Sequence, residues 1–339
     1  MSDFFLTELR ARPSGARSET ASRPYLLINA LCLDAREQRE RIARGLLAAQ
    51  AALPPKLFYD ALGSSLYEAI VLTEEYYLTR TENALFEAHC GEIARLIGPG
   101  KQFVDLGSGD SAKAERWFET LAPVRYVAVD ICEPALTAAL MRLARRPGHP
   151  ELVGLLTDFS HALDLHAALA PLPSVFFYPG SSIGNFTPEE ALHFLRQIRA
   201  HCTAPGSGLL IGVDLVKDVA RLERAYDDAL GVTAAFNLNI LRHVNRLLEA
   251  DFDVRDWKHV AFFNRAESRI EMHLEARRDL EVRIGSQHRR FARGERIHTE
   301  NSYKYEPQAF EALVREAGFS TLHRWTDPAQ DFLVVWAEV

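Results

Sequence analysis

Three acidic positions and one small-residue turn stand at spacings that suit a nucleoside. Asp105-Leu106-Gly107-Ser108-Gly109 directly follows an apolar run at 102–106. Glycine in such a turn lets the backbone bend sharply and lets a ligand approach the main chain, and the next helix offers free N–H groups. Asp130 ends the run Val127-Ala128-Val129-Asp130, 25 residues after Asp105. A carboxylate at the tip of a second strand accepts both ribose hydroxyls. Asp158-Phe159 follows a third apolar run, where an acid suits an adenine amino group and a ring packs on the base. Ligand-facing positions at the carboxyl ends of three consecutive strands mark the binding edge of an open α/β sheet.

The turn continues Gly107-Ser108-Gly109-Asp110-Ser111-Ala112, so no third glycine completes a dinucleotide fingerprint. Acids around the turn repel a pyrophosphate but tolerate a cationic sulfonium with a zwitterionic amino-acid tail. Lys113 is placed to pair with the carboxylate of that tail. The expected cofactor is S-adenosyl-L-methionine, leaving as S-adenosyl-L-homocysteine, with no metal. Gly107, Ser108, Lys113, Asp130, Asp158 and Phe159 are its expected contacts. The turn alone also occurs in nucleotide sites without methyl transfer and in plain strand-to-helix bends; Asp130 and Asp158-Phe159 carry the ligand.

A fourth run ends in Tyr178-Pro179-Gly180-Ser181-Ser182-Ile183-Gly184-Asn185-Phe186-Thr187-Pro188. Small residues there leave room beside the sulfonium, and Asn185 offers a donor and an acceptor to an amine or carboxylate. Thr187, followed by Pro188 and Glu190, reads as a helix cap rather than a ligand.

The elements that must position these groups follow from periodicity. Strands are expected at 102–106, 124–131, 152–156, 174–178 and 209–213, with helices at 112–121, 133–145, 162–170 and 188–202 between them. This alternation predicts a doubly wound, mostly parallel α/β sheet covered on both faces. A helix begins at Asp34, with Glu37 completing a capping box, and Pro54-Pro55 ends it. Another spans 82–97, with Thr81 as its cap. Residues 219–248 contain no proline and read as one long helical region. Strands at 258–264, 269–275 and 280–284, a helix at 307–317 and a strand at 332–339 complete the chain. The expected divisions are a flexible tail at 1–24, a helical part of a substrate domain at 25–90 and a donor-binding core at 91–216. An inserted α+β substrate-binding domain at 217–300 and a return to the core at 301–339 follow.

The chain has 339 residues and a net charge of −7, which disfavours nucleic acid as a partner. No run reaches the ~18 apolar residues that a membrane-spanning helix requires. Cys32, Cys90, Cys132 and Cys202 form no C-x-x-C pair and read as buried free thiols. A cytoplasmic monomer acting on a small molecule is expected.

Longer stretches carry a resemblance. They are Leu53-Pro54-Pro55-Lys56 with Phe58-Tyr59-Asp60, Glu75-Tyr76-Tyr77 with Thr79-Arg80-Thr81-Glu82, and Gly180 to Asn185. Asp214-Leu215-Val216-Lys217-Asp218, Arg224-Ala225-Tyr226-Asp227-Asp228, Gly231 to Asn237, Arg269-Ile270-Glu271-Met272 and Trp325-Thr326-Asp327-Pro328 follow in order. In these the chain resembles the histidine-specific methyltransferase family, over about five-sixths of its length. The resemblance implies a Rossmann-like class I methyltransferase core with an added substrate domain. It also implies stepwise Nα-methylation of L-histidine to the trimethyl betaine hercynine, as in ergothioneine biosynthesis.

Carried over motif by motif, Asn185 and Tyr226 would hold the substrate carboxylate, with Gly180 beside them. Tyr59 and Tyr76 would be the catalytic tyrosines near the amine and the imidazole. Met272 would wall the ring, and Glu300 and Ser302 would take one imidazole nitrogen each. A carboxylate and a hydroxyl two residues apart on a strand point to one face, and neutral imidazole has one donor and one acceptor. Leu78 and Asn301 depart from the family pattern, where proline and an apolar residue are usual. A related enzyme acting on tryptophan or tyrosine is the nearest alternative; a non-catalytic adenosyl-ligand sensor is a second.

Overall fold

The computed structural model describes residues 24–31, 35–159 and 162–339. Cys32, the Asp34 cap and nearly all of the 1–24 segment lie outside the described residues.

Seven strands occupy the first two thirds of the chain: β1 (Leu26–Asn29), β2 (Ala51–Ala52), β3 (Gln102–Leu106), β4 (Arg125–Asp130), β5 (Glu151–Leu156), β6 (Ser174–Tyr178) and β7 (Gly208–Asp214). Seven more follow: β8 (Trp257–Asn264), β9 (Arg269–Ala276), β10 (Leu280–Ile284), β11 (Gln287–Phe291), β12 (Arg296–Tyr303), β13 (Thr321–Thr326) and β14 (Phe332–Glu338). Eight of them form one sheet in the order β1-β5-β4-β3-β6-β7-β14-β13. The first six of that order run parallel; β14 and β13 are antiparallel additions. From β3 the chain steps outward to β4 and β5, then reverses to β6 and β7. The crevice beyond β3 and β6 is therefore the switch point where ligands bind in such sheets.

The apolar runs form central strands because both their faces are covered. Phe103 points into one core and Val104 and Leu106 into the other, as strand alternation requires. The helix Leu78–Ile97 covers the first face with Leu78, Leu85, Phe86, Ile93 and Ile97, a stripe at helical spacing. It starts a turn earlier than the Thr81 cap predicts, because the Thr81 N–H already donates to the Tyr77 carbonyl at 2.9 Å. The Thr187 cap forms as expected, with a full capping box to Glu190.

Three helical expectations are corrected. Residues 162–170 form turns, with Asp164 accepting from the His166 N–H at 3.1 Å, a local bond that competes with helix. The 112–121 helix is two short pieces, Ala112–Glu115 and Phe118–Leu121. The 219–248 region is two helices, Val219–Ala225 and Val232–Leu248. Asp228 caps the second through the Val232 and Thr233 N–H groups, and Gly231 takes a left-handed φ of 74°. This break holds Tyr226.

A second sheet has the order β2-β12-β9-β8, with the hairpin β10-β11 beside it. The first core continues without interruption from Phe103 and Phe177 to Phe236, Trp257 and Met272. The expected divisions therefore cut elements: β1 lies in the large sheet, the helix Leu78–Ile97 straddles 90, and β12 runs through 300. Among the described residues no helix is long and apolar enough to cross a membrane. Cys90, Cys132 and Cys202 are unpaired, but only Cys202 is buried.

Candidate active site

The turn after β3 is held by backbone and by one acid. Gly107 and Ser108 N–H groups both donate to the Val129 carbonyl, at 2.9 and 3.0 Å. Gly107 and Gly109 adopt φ of 74° and 50°, the left-handed region that glycine enters without a Cβ penalty. Asp130 accepts from the Gly109 N–H and from the Cys132 N–H, each at 2.8 Å. It therefore sits at the lip of the turn and ties the turn to the end of β4. The buried Ser108 Oγ has no partner within the protein, and buried polar atoms are rarely left so. The turn thus fits a polar ligand. Phe159 stacks on Phe194, with ring centroids 5.7 Å apart, and reaches toward Gly107. Asp105 faces inward instead: burial pushes its carboxyl up to about 7, opposed by the hydrogen bond from Tyr126 at 2.7 Å.

Two expected donor contacts have protein partners. Lys113 pairs with Glu82 at 2.7 Å, and Asp158 pairs with Lys56 at 2.6 Å. Glu82 is fully buried, and its other oxygen accepts from the Gly180 N–H at 2.6 Å. Glu82 is not among the expected contacts, although Thr79-Arg80-Thr81-Glu82 is one of the stretches shared with the family. Its signal was an acid in the otherwise apolar stripe of a helix. Lys113 lowers its charge cost through Glu82: burial disfavours its ammonium, and Glu82 outweighs that and raises its pKa.

Across the switch point lies a cleft of ≈ 550 Å³, part of it open to solvent. It gathers every expected acceptor residue: Tyr59, Tyr76, Gly180, Asn185, Tyr226, Met272, Glu300 and Ser302. Five rings form a continuous wall. Tyr59 meets Tyr67 and Phe236 edge-on, each at 5.9 Å between centroids; Tyr67 meets Tyr76 at 6.5 Å, and Tyr76 meets Tyr226 at 6.2 Å. Tyr67 and Phe236 join the cleft beyond the expected residues. Both lie on helices at apolar positions, where packing and ligand contact look alike in sequence. Burial, reinforced by neighbouring tyrosines, raises the Tyr59 and Tyr76 hydroxyls well above their ordinary range.

Arg80 fixes the loop that carries Tyr76. Its guanidinium donates to the carbonyls of Thr73, Tyr76 and Glu74 at 2.7, 3.2 and 2.6 Å. Opposite, β12 shifts register between His298 and Glu300, and Glu300 then pairs across with Met272 and Ser302 with Ile270. Glu300 and Ser302 share the cleft face. Asn301 points away, bonded to His298 at 2.8 Å, so its departure from the family pattern leaves the cleft untouched. Burial pushes the Glu300 carboxyl up to about 7, with Lys304 pulling the other way.

Tyr226 Oη and Ser302 Oγ lie 2.8 Å apart, and Lys304 Nζ donates to both, at 2.8 and 2.9 Å. Lys304 is buried and pairs with Asp214 at 2.8 Å. Burial works against its charge, but Asp214 and Tyr226 outweigh it and raise its pKa. Asp214 also accepts from Tyr77 Oη at 2.9 Å and pairs with Lys217. Burial lowers Lys217 to about 8 despite that partner. On the outer face of the small sheet, Glu271, His273 and His298 cluster, with Glu271 neutralised by Arg269 at 2.7 Å.

A parallel sheet with this strand order, an acid-lipped glycine turn and an adjoining aromatic cleft define an S-adenosylmethionine-dependent methyltransferase. The model of the family described as histidine-specific, SAM-dependent methyltransferases matches residues 38–339, and the chain belongs to that family. It is 41% identical to the histidine N-alpha-methyltransferase of Mycolicibacterium smegmatis, over 90% of this chain and 97% of that protein. The histidine N-alpha-methyltransferase of Mycobacterium tuberculosis is 40% identical, over 87% and 92%. Ergothioneine biosynthesis protein 1 of Neurospora crassa is 32% identical, over 81% of this chain and 32% of that longer protein.

Proposed function

We propose that the protein transfers methyl groups from S-adenosylmethionine to the α-amine of L-histidine, in three rounds, yielding hercynine for ergothioneine synthesis. The observation that carries this reading is the pair Glu300 and Ser302 on one face of β12 opposite the aromatic wall. One carboxylate and one hydroxyl match the two unlike nitrogens of neutral imidazole. Indole offers only a donor, which makes Ser302 redundant for tryptophan.

The bound donor supplies an electrophilic methyl on a good leaving group. The protein's work is then positioning and exclusion of water. Gly107, Ser108 and Asp130 would hold the nucleoside, with Phe159 against the base. Asp158, paired with Lys56, would meet the adenine amino group, and Lys113, held by Glu82, would stand near the amino-acid tail. Asn185 and Tyr226 would hold the substrate carboxylate beside Gly180, and Met272 would wall the ring. Tyr59 and Tyr76, whose raised pKa values keep them neutral, would orient the amine through O–H groups and lone pairs rather than act as tyrosinate bases. The amine's proton then passes to water. As methyl groups accumulate, the cation gains ring faces, each worth about 0.5–2 kcal/mol.

The core around 91–216 would hold the donor and lend Gly180 and Asn185 to the acceptor, whose other contacts come from 25–90 and from 217 to the end of β12, in a cytoplasmic monomer. Its three described cysteines are unpaired, in keeping with a reducing compartment. Mass spectrometry of products from each of the twenty amino acids tests the reading. Trimethylated product from histidine alone is expected; turnover of tryptophan or tyrosine in its place, or a product that stops at one methyl, overturns it.

A further inference from the structure

Resting on the reading of Tyr226 as a contact of the substrate carboxylate, we propose that His259, in β8, is a positioning residue of the acceptor site that acts through Tyr226. Tyr226 stands where the helix Val219–Ala225 ends, just before the break that Gly231 closes. Carbonyls at a helix end have no partner within the helix, and buried ones must find one elsewhere. The Tyr226 carbonyl finds His259 Nε2 at 2.8 Å. Glu223 makes a second tie to the same strand, accepting from the Phe263 N–H at 3.0 Å.

The partners of the ring fix its hydrogens. A carbonyl only accepts, so Nε2 carries the hydrogen that meets Tyr226. Nδ1 lies 2.8 Å from Asn237 Nδ2, and that amide nitrogen is also 3.1 Å from the His273 carbonyl. The nitrogen end of Asn237 must therefore face this side, and it donates to a bare Nδ1. The His259 side chain is 2% exposed. Burial holds its pKa below the ordinary range, against the pull of the Tyr226 carbonyl, Asp227 and Asp228. The ring is thus neutral and in a single tautomer. Asn237 belongs to the helix Val232–Leu248, beyond the break. One imidazole therefore spans the break, accepting from the helix after it and donating to the end of the helix before it. At its far end Tyr226 is held through Oη by Lys304 and Ser302. Backbone and hydroxyl are fixed from two different strands, β8 and β12, and this sets where the hydroxyl stands in the cleft.

A double-mutant cycle separates this role from a merely structural one. Wild type, His259→Met, Tyr226→Phe and the double variant are assayed for histidine KM and kcat. S-adenosylhomocysteine affinity, expected to stay within about twofold, reports folding. Loss of one neutral hydrogen bond should raise the histidine KM of His259→Met about three- to tenfold, with a smaller change in kcat. His259→Gln, whose amide N–H can reach the same carbonyl, should stay within about twofold of wild type. Tyr226→Phe alone should raise the KM about tenfold. Adding His259→Met to it should change the KM by no more than about twofold, because the hydroxyl that His259 positions is already gone. Effects that multiply in the double variant, an unchanged KM in His259→Met, or an equal loss of S-adenosylhomocysteine affinity overturns the proposal. Should His259→Met not fold, Asn237→Leu enters the same cycle. It releases the ring into the other tautomer, whose bare Nε2 faces the Tyr226 carbonyl, and the same lack of additivity with Tyr226→Phe is expected. A histidine KM unchanged in Tyr226→Phe removes the carboxylate reading and this one together, whereas effects that multiply remove this one alone.

Discussion

Glu82 and Lys113 meet at 2.7 Å across the seam between the helix Leu78–Ile97 and the short helix after the donor turn. Glu82 is wholly enclosed, and the Gly180 N–H shares it. A Cβ on Gly212 would lie 2.3 Å from its Oε1, so the strand beneath is bare to admit it. One carboxylate therefore ties the donor turn, the loop after β6 and the covering helix together.

Lys113→Met leaves that carboxylate enclosed without its cation. Stability is expected to fall by about 2–4 kcal/mol, read as the shift in a urea unfolding midpoint. Adding Glu82→Leu to Lys113→Met should restore most of the loss. A double variant as unstable as the two single losses added together would show that the pair is not coupled.

Glu300 gives a pH signature. In the folded protein its carboxyl keeps its proton up to about pH 7, against 4.5 for an unburied glutamate. Between those values the folded state binds more protons than the unfolded chain, so stability declines as pH rises from about 4.5 to 7 and is level above. The decline is about 3 kcal/mol. Glu300→Gln should lack this segment and be the more stable form at pH 8. Parallel stability–pH curves for the two proteins would contradict the assignment. The same variant should raise the histidine KM by about 10-fold or more while leaving donor affinity within twofold.

Asp130→Ala should do the reverse. It removes the acceptor of two backbone N–H groups at the donor turn and the expected ribose contact. Calorimetric titration should show S-adenosylhomocysteine binding weakened about 10- to 100-fold. Histidine KM at saturating donor should hold; a rise in both would point to a collapsed turn.

Arg80→Ala frees the carbonyls of Thr73, Glu74 and Tyr76. Backbone amides of residues 73–77 should exchange with deuterium faster than in wild type, and the histidine KM should rise several-fold. Donor affinity is the control. Unchanged exchange would mean that the loop is held by its aromatic contacts alone.

Much of this architecture is written in periodicity. The strands β3 to β7 are legible because burial on both faces demands unbroken apolar runs, and Asp130 and Asp158 announce themselves as acids at strand ends. β11 and β12 are harder to see: Gln287–Phe291 and Arg296–Tyr303 are rich in polar residues on a half-covered sheet, so no clean alternation marks them. The break at 226–231 is local chemistry, an aspartate cap and one left-handed glycine, which a long apolar period hides. Glu300, Ser302 and Tyr226 are legible only through the family resemblance, because nothing in their local pattern marks them. Lys304, Glu82 and Arg80 escaped because a charge that is satisfied by folding looks, in sequence, like one that is solvated.

β12 has one more consequence. Two residues after Ser302 the Lys304 N–H bonds the Ser268 carbonyl, and the next residue, Tyr305, bonds the Asp214 carbonyl at the end of β7. The strand that carries Glu300 and Ser302 is thus tied at its C-terminal end to both sheets, so the small sheet and the large one are joined directly through the backbone. Heating should melt the two together in one cooperative step. A change of substrate in such a scaffold comes from exchanging side chains along a rigid rod, not from swinging one lobe against another.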